Sequence, residues 1–129
     1  MSMTTDKKTI LIIDDDESYR QIFSNALVAE GFLVLDAKNG KEGLLMALDK
    51  KPDLILLDLG LPDIDGLDLL DDIRKDEWGK KAKVFVVTNT SNPTKLSEAI
   101  QKESFVYLVK SDMSIQELVS KIKESFVVK

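Results

Sequence analysis

The sequence predicts an α/β fold, a parallel sheet covered by helices on both faces. Three observations carry that prediction. Short apolar runs, each strand-sized, alternate five times with longer stretches whose apolar residues recur at three-and-four spacing. The runs are continuously apolar, as in strands buried on both faces. The 129 residues, 43% hydrophobic and 32% charged, suit one globular domain and exclude disorder. A chain of this length buries roughly two-thirds of the surface its unfolded form exposes, enough for one core.

Thr9 to Ile13 is a β-branched and leucine run that reads as the first strand. After an acidic cluster, Tyr19, Ile22, Phe23, Ala26 and Leu27 recur at helical spacing until Gly31 stops the helix. Phe32 to Leu35 reads as the second strand. Asn39-Gly40 is a turn, and the helix after it carries Leu44, Ala47 and Leu48 and cannot continue past Pro52. Leu54 to Leu57 is the most apolar strand. A loop from Gly60 to Gly66 leads to a helix with Leu67, Leu70 and Ile73 inward.

Val84 to Val87 reads as the fourth strand. Asn92-Pro93 opens a fourth helix with Leu96, Ala99 and Ile100, since proline suits a first helical position. Phe105 to Val109 is the fifth strand. Ile115, Leu118, Val119, Ile122 and Phe126 form the stripe of a last helix capped by Ser114. Trp78, between Glu77 and Gly79, reads as a packing residue. Residues 1–7 are polar and read as a flexible tail without the apolar core of a signal peptide. No apolar run approaches the ~20 residues of a bilayer span, so no membrane insertion is expected, and a reducing cytoplasm is the expected setting.

Composition narrows the chemistry. With 18 basic and 23 acidic residues the net charge is −5, which argues against direct nucleic-acid binding through a general positive field. The absence of cysteine and histidine removes thiolate chemistry and the commonest general base and metal ligand. What remains is carboxylates, hydroxyls, lysine and a hard cation. Open parallel sheets bind ligands beyond the carboxyl ends of their strands, and four of the five strands end usefully. The first ends in Asp14-Asp15-Asp16-Glu17, the third in Asp58, the fourth in Thr88 and the fifth in Lys110. Taken singly, each has a bland reading: acids after a strand cap the next helix, as Asp16 or Glu17 would here, and a threonine or lysine can be an ordinary surface residue. Taken together they make an oxygen site for a divalent ion, with a lysine offsetting charge and a carboxylate placed to attack phosphorus.

Ile10 to Asp16, Asp53 to Gly66 (through Asp58, Gly60 and Pro62), Val86 to Thr88 and Tyr107 to Lys110 resemble the receiver domain of two-component response regulators, over essentially the whole chain. The resemblance implies a flavodoxin-like sheet of strand order 2-1-3-4-5 and a single receiver domain over residues 1–129. It implies that Asp58 is a phosphoacceptor served by a phosphohistidine on a sensor histidine kinase or a histidine phosphotransfer protein. Asp14 and Asp15, with Asp58 and the backbone carbonyl of Gly60, would hold Mg²⁺ or Mn²⁺. Thr88 and Lys110 would pair with phosphoryl oxygens. Tyr107 stands at the switch-aromatic position, although an aromatic in a sheet also has a plain core reading. The surface of the fourth helix, fifth strand and fifth helix would then change for a downstream partner or a homodimer. Such a domain catalyses its own phosphorylation and slow dephosphorylation and is not a multiple-turnover enzyme.

Two positions depart from the family. Ser111 follows Lys110 where the family has proline behind a cis bond. A cis bond to a non-proline residue costs about 2.5–4 kcal/mol, so a trans bond and a differently shaped loop are expected. Asn89 follows Thr88 where a very small residue is usual. The rival readings are a Mg²⁺-dependent aspartyl-phosphate hydrolase, which would want an acid where Gly60 stands, and a phosphorylation-independent interaction module, which would have lost one of the site groups. A DNA-binding regulator would need a further module, so the chain reads as a stand-alone receiver or one cut from a longer protein.

Overall fold

The structure is a computed structural model that describes residues 7–88 and 105–127. The expected tail, at residues 1–6, and the expected fourth helix, with Asn89, lie outside the described residues. Five strands form one parallel sheet: β1 (Thr9–Ile13), β2 (Leu33–Ala37), β3 (Leu54–Leu57), β4 (Lys83–Thr88) and β5 (Phe105–Val109), in the order β2-β1-β3-β4-β5. Ile10 sits in register with Val34 on one side and Leu54 on the other, and Val84 with Phe105 further along. The chain therefore goes from β1 out to the edge at β2 and returns past β1 to β3, so the strand order reverses between β1 and β3. That reversal opens a crevice at their carboxyl ends.

Alternation along each strand divides the core in two. Leu11 and Ile13 of β1, Ile55 and Leu57 of β3 and Val84 and Val86 of β4 face α2 (Gly40–Lys50) and α3 (Gly66–Arg74), meeting Ala47, Leu67, Leu70 and Ile73. Ile10, Ile12, Leu54, Leu56, Phe85 and Val87 face the other way, against Phe23 and Leu27 of α1 (Glu17–Ala29) and Leu118, Val119 and Ile122 of the C-terminal helix (Ile115–Ser125). β1 and β3 are thus buried on both faces, which is why their sequences show no polar alternation. Burying each such aliphatic side chain is worth about 1.5–3 kcal/mol.

Each described α-helix starts on a side-chain cap. Asp16 accepts from the Tyr19 N–H, Asn39 from Glu42 and Asp65 from Leu67, and Ser114 with Glu117 forms a capping box. Gly31, at φ +95°, takes the left-handed turn after α1. Gly66 lets α3 start hard against the end of β3: a Cβ there would stand 2.6 Å from the Leu59 Cα. Trp78 packs against the α2–α3 side of the core, as expected of a packing residue.

The structure corrects three readings of the pattern. Ile22 is 57% exposed, because burial of α1 centres on Phe23 and Leu27 and Ile22 is turned about 100° from Phe23. β2 runs over Leu33–Ala37, later than expected, and β4 is a residue longer at each end. Among the described residues there is no cis peptide bond, so Lys110–Ser111 is trans, and no helix is long and apolar enough to cross a membrane.

Candidate functional site

The crevice between β1 and β3 collects the acids. The Asp14 N–H donates to the Ala37 carbonyl at 3.1 Å and the Asp58 N–H to the Ile13 carbonyl at 3.0 Å, so the sheet ladder continues one residue past each strand. Both backbones are fixed by their neighbours where their side chains leave the sheet. Among the described residues, Asp14 and Asp58 are the only buried charged side chains, at 2% and 6% exposure. Asp15, next in sequence, stands exposed at the rim, and one carboxylate oxygen from each of the three acids lies within 4.8 Å of the others.

Lys110 arrives from β5. It opens a 3₁₀ turn, Lys110–Asp112, and its Nζ donates to Asp14 Oδ2 at 2.6 Å. The Asp16 N–H donates to Asp14 Oδ1 at 2.9 Å, so both oxygens of Asp14 are engaged. Asp58 is held more loosely, its Oδ1 accepting from the Gly60 N–H at 3.3 Å. Burial pushes the Asp58 carboxyl above the usual carboxylate range, with Asp14 and Asp15 adding to the push, while Lys110 and the Gly60 N–H oppose it. A buried carboxylate with one weak donor and two acidic neighbours is a poorly satisfied anion.

The expected residues therefore divide. Asp14, Asp15, Asp58 and Lys110 converge, and Gly60 lies beside Asp58 through its N–H. Thr88 closes β4 in register with Val109, one residue before Lys110, and Tyr107 lies in β5 in register with Val86. The described part of the structure covers the main chain of these two residues and not their side chains.

Two residues read only as helix pattern, or passed over, also belong to the site. Tyr19 lays its ring 4.1 Å from the Lys110 Nζ. Burial first, and then the charges of Asp14 and Asp58, hold its phenol up at about 12, so it is neutral at physiological pH. Arg20 donates from Nη1 to the Asp14 carbonyl at 2.8 Å, with its Nε 3.7 Å from Asp36 Oδ2. The available signal was position: polar-tipped residues one turn into a helix that starts at an acidic cluster. A third, Asp63 from the loop after β3, accepts from the N–H groups of Gly40 and Lys41 and so ties that loop to the start of α2.

Three carboxylates facing one ammonium leave an excess of negative charge, in an all-oxygen donor set. That fits a hard divalent ion such as Mg²⁺ or Mn²⁺ and suits soft or borderline metals poorly.

Comparison with known proteins agrees with the geometry. The response regulator receiver domain family model matches residues 10–123. The chain is 35% identical over 114 residues to the KDP operon transcriptional regulatory protein KdpE of Escherichia coli, covering 88% of this chain and 49% of that one. It spans about half the length of curated relatives of this kind. A CheY-like receiver domain protein from Methanospirillum hungatei superposes with a TM-score of 0.85 at 29% identity, covering 93% of this chain and 94% of that one. The response regulator TrrA of Thermotoga maritima, solved in complex with Mg²⁺ and BeF, superposes with a TM-score of 0.78 at 32% identity, covering 91% and 97%.

Proposed function

The chain belongs to the response regulator receiver domain family of two-component systems, and on that premise we propose that it accepts a phosphoryl group on Asp58 from a phosphohistidine. The observation that carries this reading is the convergence of Asp14, Asp15 and Asp58 within 4.8 Å, with the Lys110 ammonium on Asp14. An Asp58 carboxylate oxygen forms the new O–P bond while the P–N bond of the donor breaks, and the electron pair of that bond leaves on the imidazole nitrogen. Asp14, Asp15, Asp58 and the Gly60 carbonyl would hold Mg²⁺ or Mn²⁺, which when bound offsets charge on the phosphoryl oxygens.

The rest falls to the chain's own groups. Lys110 moves from Asp14 to a phosphoryl oxygen, and Thr88 hydrogen-bonds another. The added group brings roughly −1.5 to −2 charge, which supplies the differential interaction a two-state change requires. Tyr107 fills the space behind Thr88, and the surface expected of the fourth helix, β5 and the C-terminal helix changes with it. That surface serves a downstream protein or a second copy of the chain. The donor is a sensor histidine kinase or a histidine phosphotransfer protein, the 129 residues form one receiver domain, and the setting is the cytoplasm.

Treatment with acetyl phosphate and Mg²⁺, followed by intact-mass measurement, tests the proposal. One phosphoryl group is expected on the wild type and none on Asp58→Asn. Equal labelling of the two, or sustained hydrolysis of phosphate monoesters, would overturn it.

A further inference from the structure

We propose that Tyr19 is a positioning residue: its ring holds the Lys110 ammonium on Asp14 and thereby sets how strongly that lysine competes with a divalent cation for the carboxylate. The inference rests on the reading that Asp14 is a cation ligand.

The geometry is a clamp with two jaws. The Lys110 Nζ lies 2.6 Å from Asp14 Oδ2 and 4.1 Å from the centroid of the Tyr19 ring. That is well inside the range in which a ring face attracts an ammonium. The Lys110 side chain is only 9% exposed, so water competes poorly for its charge and the attraction is at its stronger end. The ring itself is braced. It stands edge-on to Phe23, centroids 5.7 Å apart at 72°, and Phe23 is fully buried in the core.

Lysine needs such a brace more than most residues. Its stem is flexible and its head carries three rotatable donors, so the aim of the charge comes from the contacts of the head. Here the next residue is Ser111, which puts no ring constraint on the backbone after Lys110. The platform comes instead from the first turn of α1, which follows directly on the loop that carries Asp14 and Asp15.

The consequence is competition. An ammonium and a divalent ion sharing Asp14 Oδ2 would repel each other, so the two cations compete for it. An ion bound there would draw Lys110 away, at the cost of the ring contact. Removing the ring therefore favours the ion, whereas removing only the hydroxyl changes little.

Mg²⁺ titration of the full chain by calorimetry tests this. Tyr19→Leu is expected to bind Mg²⁺ about 2- to 30-fold more tightly than wild type, and Tyr19→Phe to stay within about twofold, since the ring face remains. Lys110→Met is expected to tighten binding, and Tyr19→Leu to add nothing in the Lys110→Met background. Tyr19→Met replaces Tyr19→Leu if the leucine variant loses its native circular dichroism. An unchanged affinity in the ring-deleted variant overturns the inference, as does an equal shift with and without Lys110, or a phenylalanine variant that behaves like leucine. A wild type that binds no Mg²⁺ overturns the cation site and this inference with it, so the two failures are told apart.

Discussion

Among the described residues, Lys110 is the one ammonium hydrogen-bonded within the acid cluster, and the structure gives the size of the effect of Lys110→Met. The Lys110 and Asp14 side chains are 9% and 3% exposed and meet at 2.6 Å. At an effective dielectric near 20 their gross attraction is about 6 kcal/mol, most of it offset by the cost of taking both charges out of water. Replacing both partners by neutral groups is therefore expected to cost little. Replacing only the lysine leaves Asp14 buried and charged beside Asp58 and Asp15, which costs about 3–5 kcal/mol. The Asp16 N–H still serves one Asp14 oxygen, so the lower end is expected. In urea, a loss of about 3 kcal/mol moves the midpoint down by about 1–3 M. Trp78 is the only tryptophan and packs on the α2–α3 side of the core, so its fluorescence reports the transition. Asp14→Asn in the Lys110→Met background should restore most of the loss. A Lys110→Met midpoint equal to wild type in metal-free buffer, or a double variant weaker than Lys110→Met alone, would refute the reasoning.

Asp63 accepts from the Gly40 and Lys41 N–H groups, and those two bonds hold its carboxyl below the usual carboxylate range. A depressed value means that the stabilisation is present above the unfolded value and lost as pH falls through the folded one. Asp63→Ala should have a lower urea midpoint at neutral pH, and the gap to wild type should begin to narrow below about pH 4 and shrink further as the pH falls; a gap that does not narrow with falling pH would contradict the assignment. Gly43 lies against the sheet, where a Cβ would stand 2.6 Å from Ile13 Cδ1 and 2.8 Å from its Cγ1 and Cγ2. Gly43→Ala gains about 1 kcal/mol of helix propensity and loses about 1–3 kcal/mol to overpacking. Because Ile13 is fully buried and presents three atoms to the intruder, the net change should be destabilising in a urea titration.

The sequence exposed most where burial is two-sided. β1, β3 and β5 begin and end where the apolar runs do, because no polar residue interrupts them and a charged or polar residue follows each. β2 was harder to place because it is an edge strand. Leu33 is 50% exposed and Asp36 is exposed within the strand, while Phe32, counted as strand, instead packs on Phe126 with centroids 6.0 Å apart. A half-solvated strand tolerates a polar residue, and the apolar pattern then loses its edge. In the site, Asp14, Asp15, Asp58 and Lys110 were legible because each sits within two residues of a strand's carboxyl end. Arg20, Tyr19 and Asp63 were not. Their partners are Asp36, Lys110 and the N-terminus of α2, and a one-dimensional pattern carries no information about which helix end meets which loop.

Asp58 and Asp14 are the most buried charges described, and the fold spends hydrophobic stability to keep them there. An acid cluster that only capped a helix would gain nothing from burial, since an exposed carboxylate caps as well, and Asp16 already caps α1. On the proposed reading, burial leaves the Asp58 carboxylate stripped of water and short of donors when it reacts. The same logic explains the arrangement of the positive charge. Lys110 is paired with Asp14, which already has a backbone donor, and not with Asp58, whose donor is weak. On the proposed reading, the lysine is held next to the nucleophile without neutralising it. The group with the least compensation is then the one that reacts, and the nearest cation has only one carboxylate to leave.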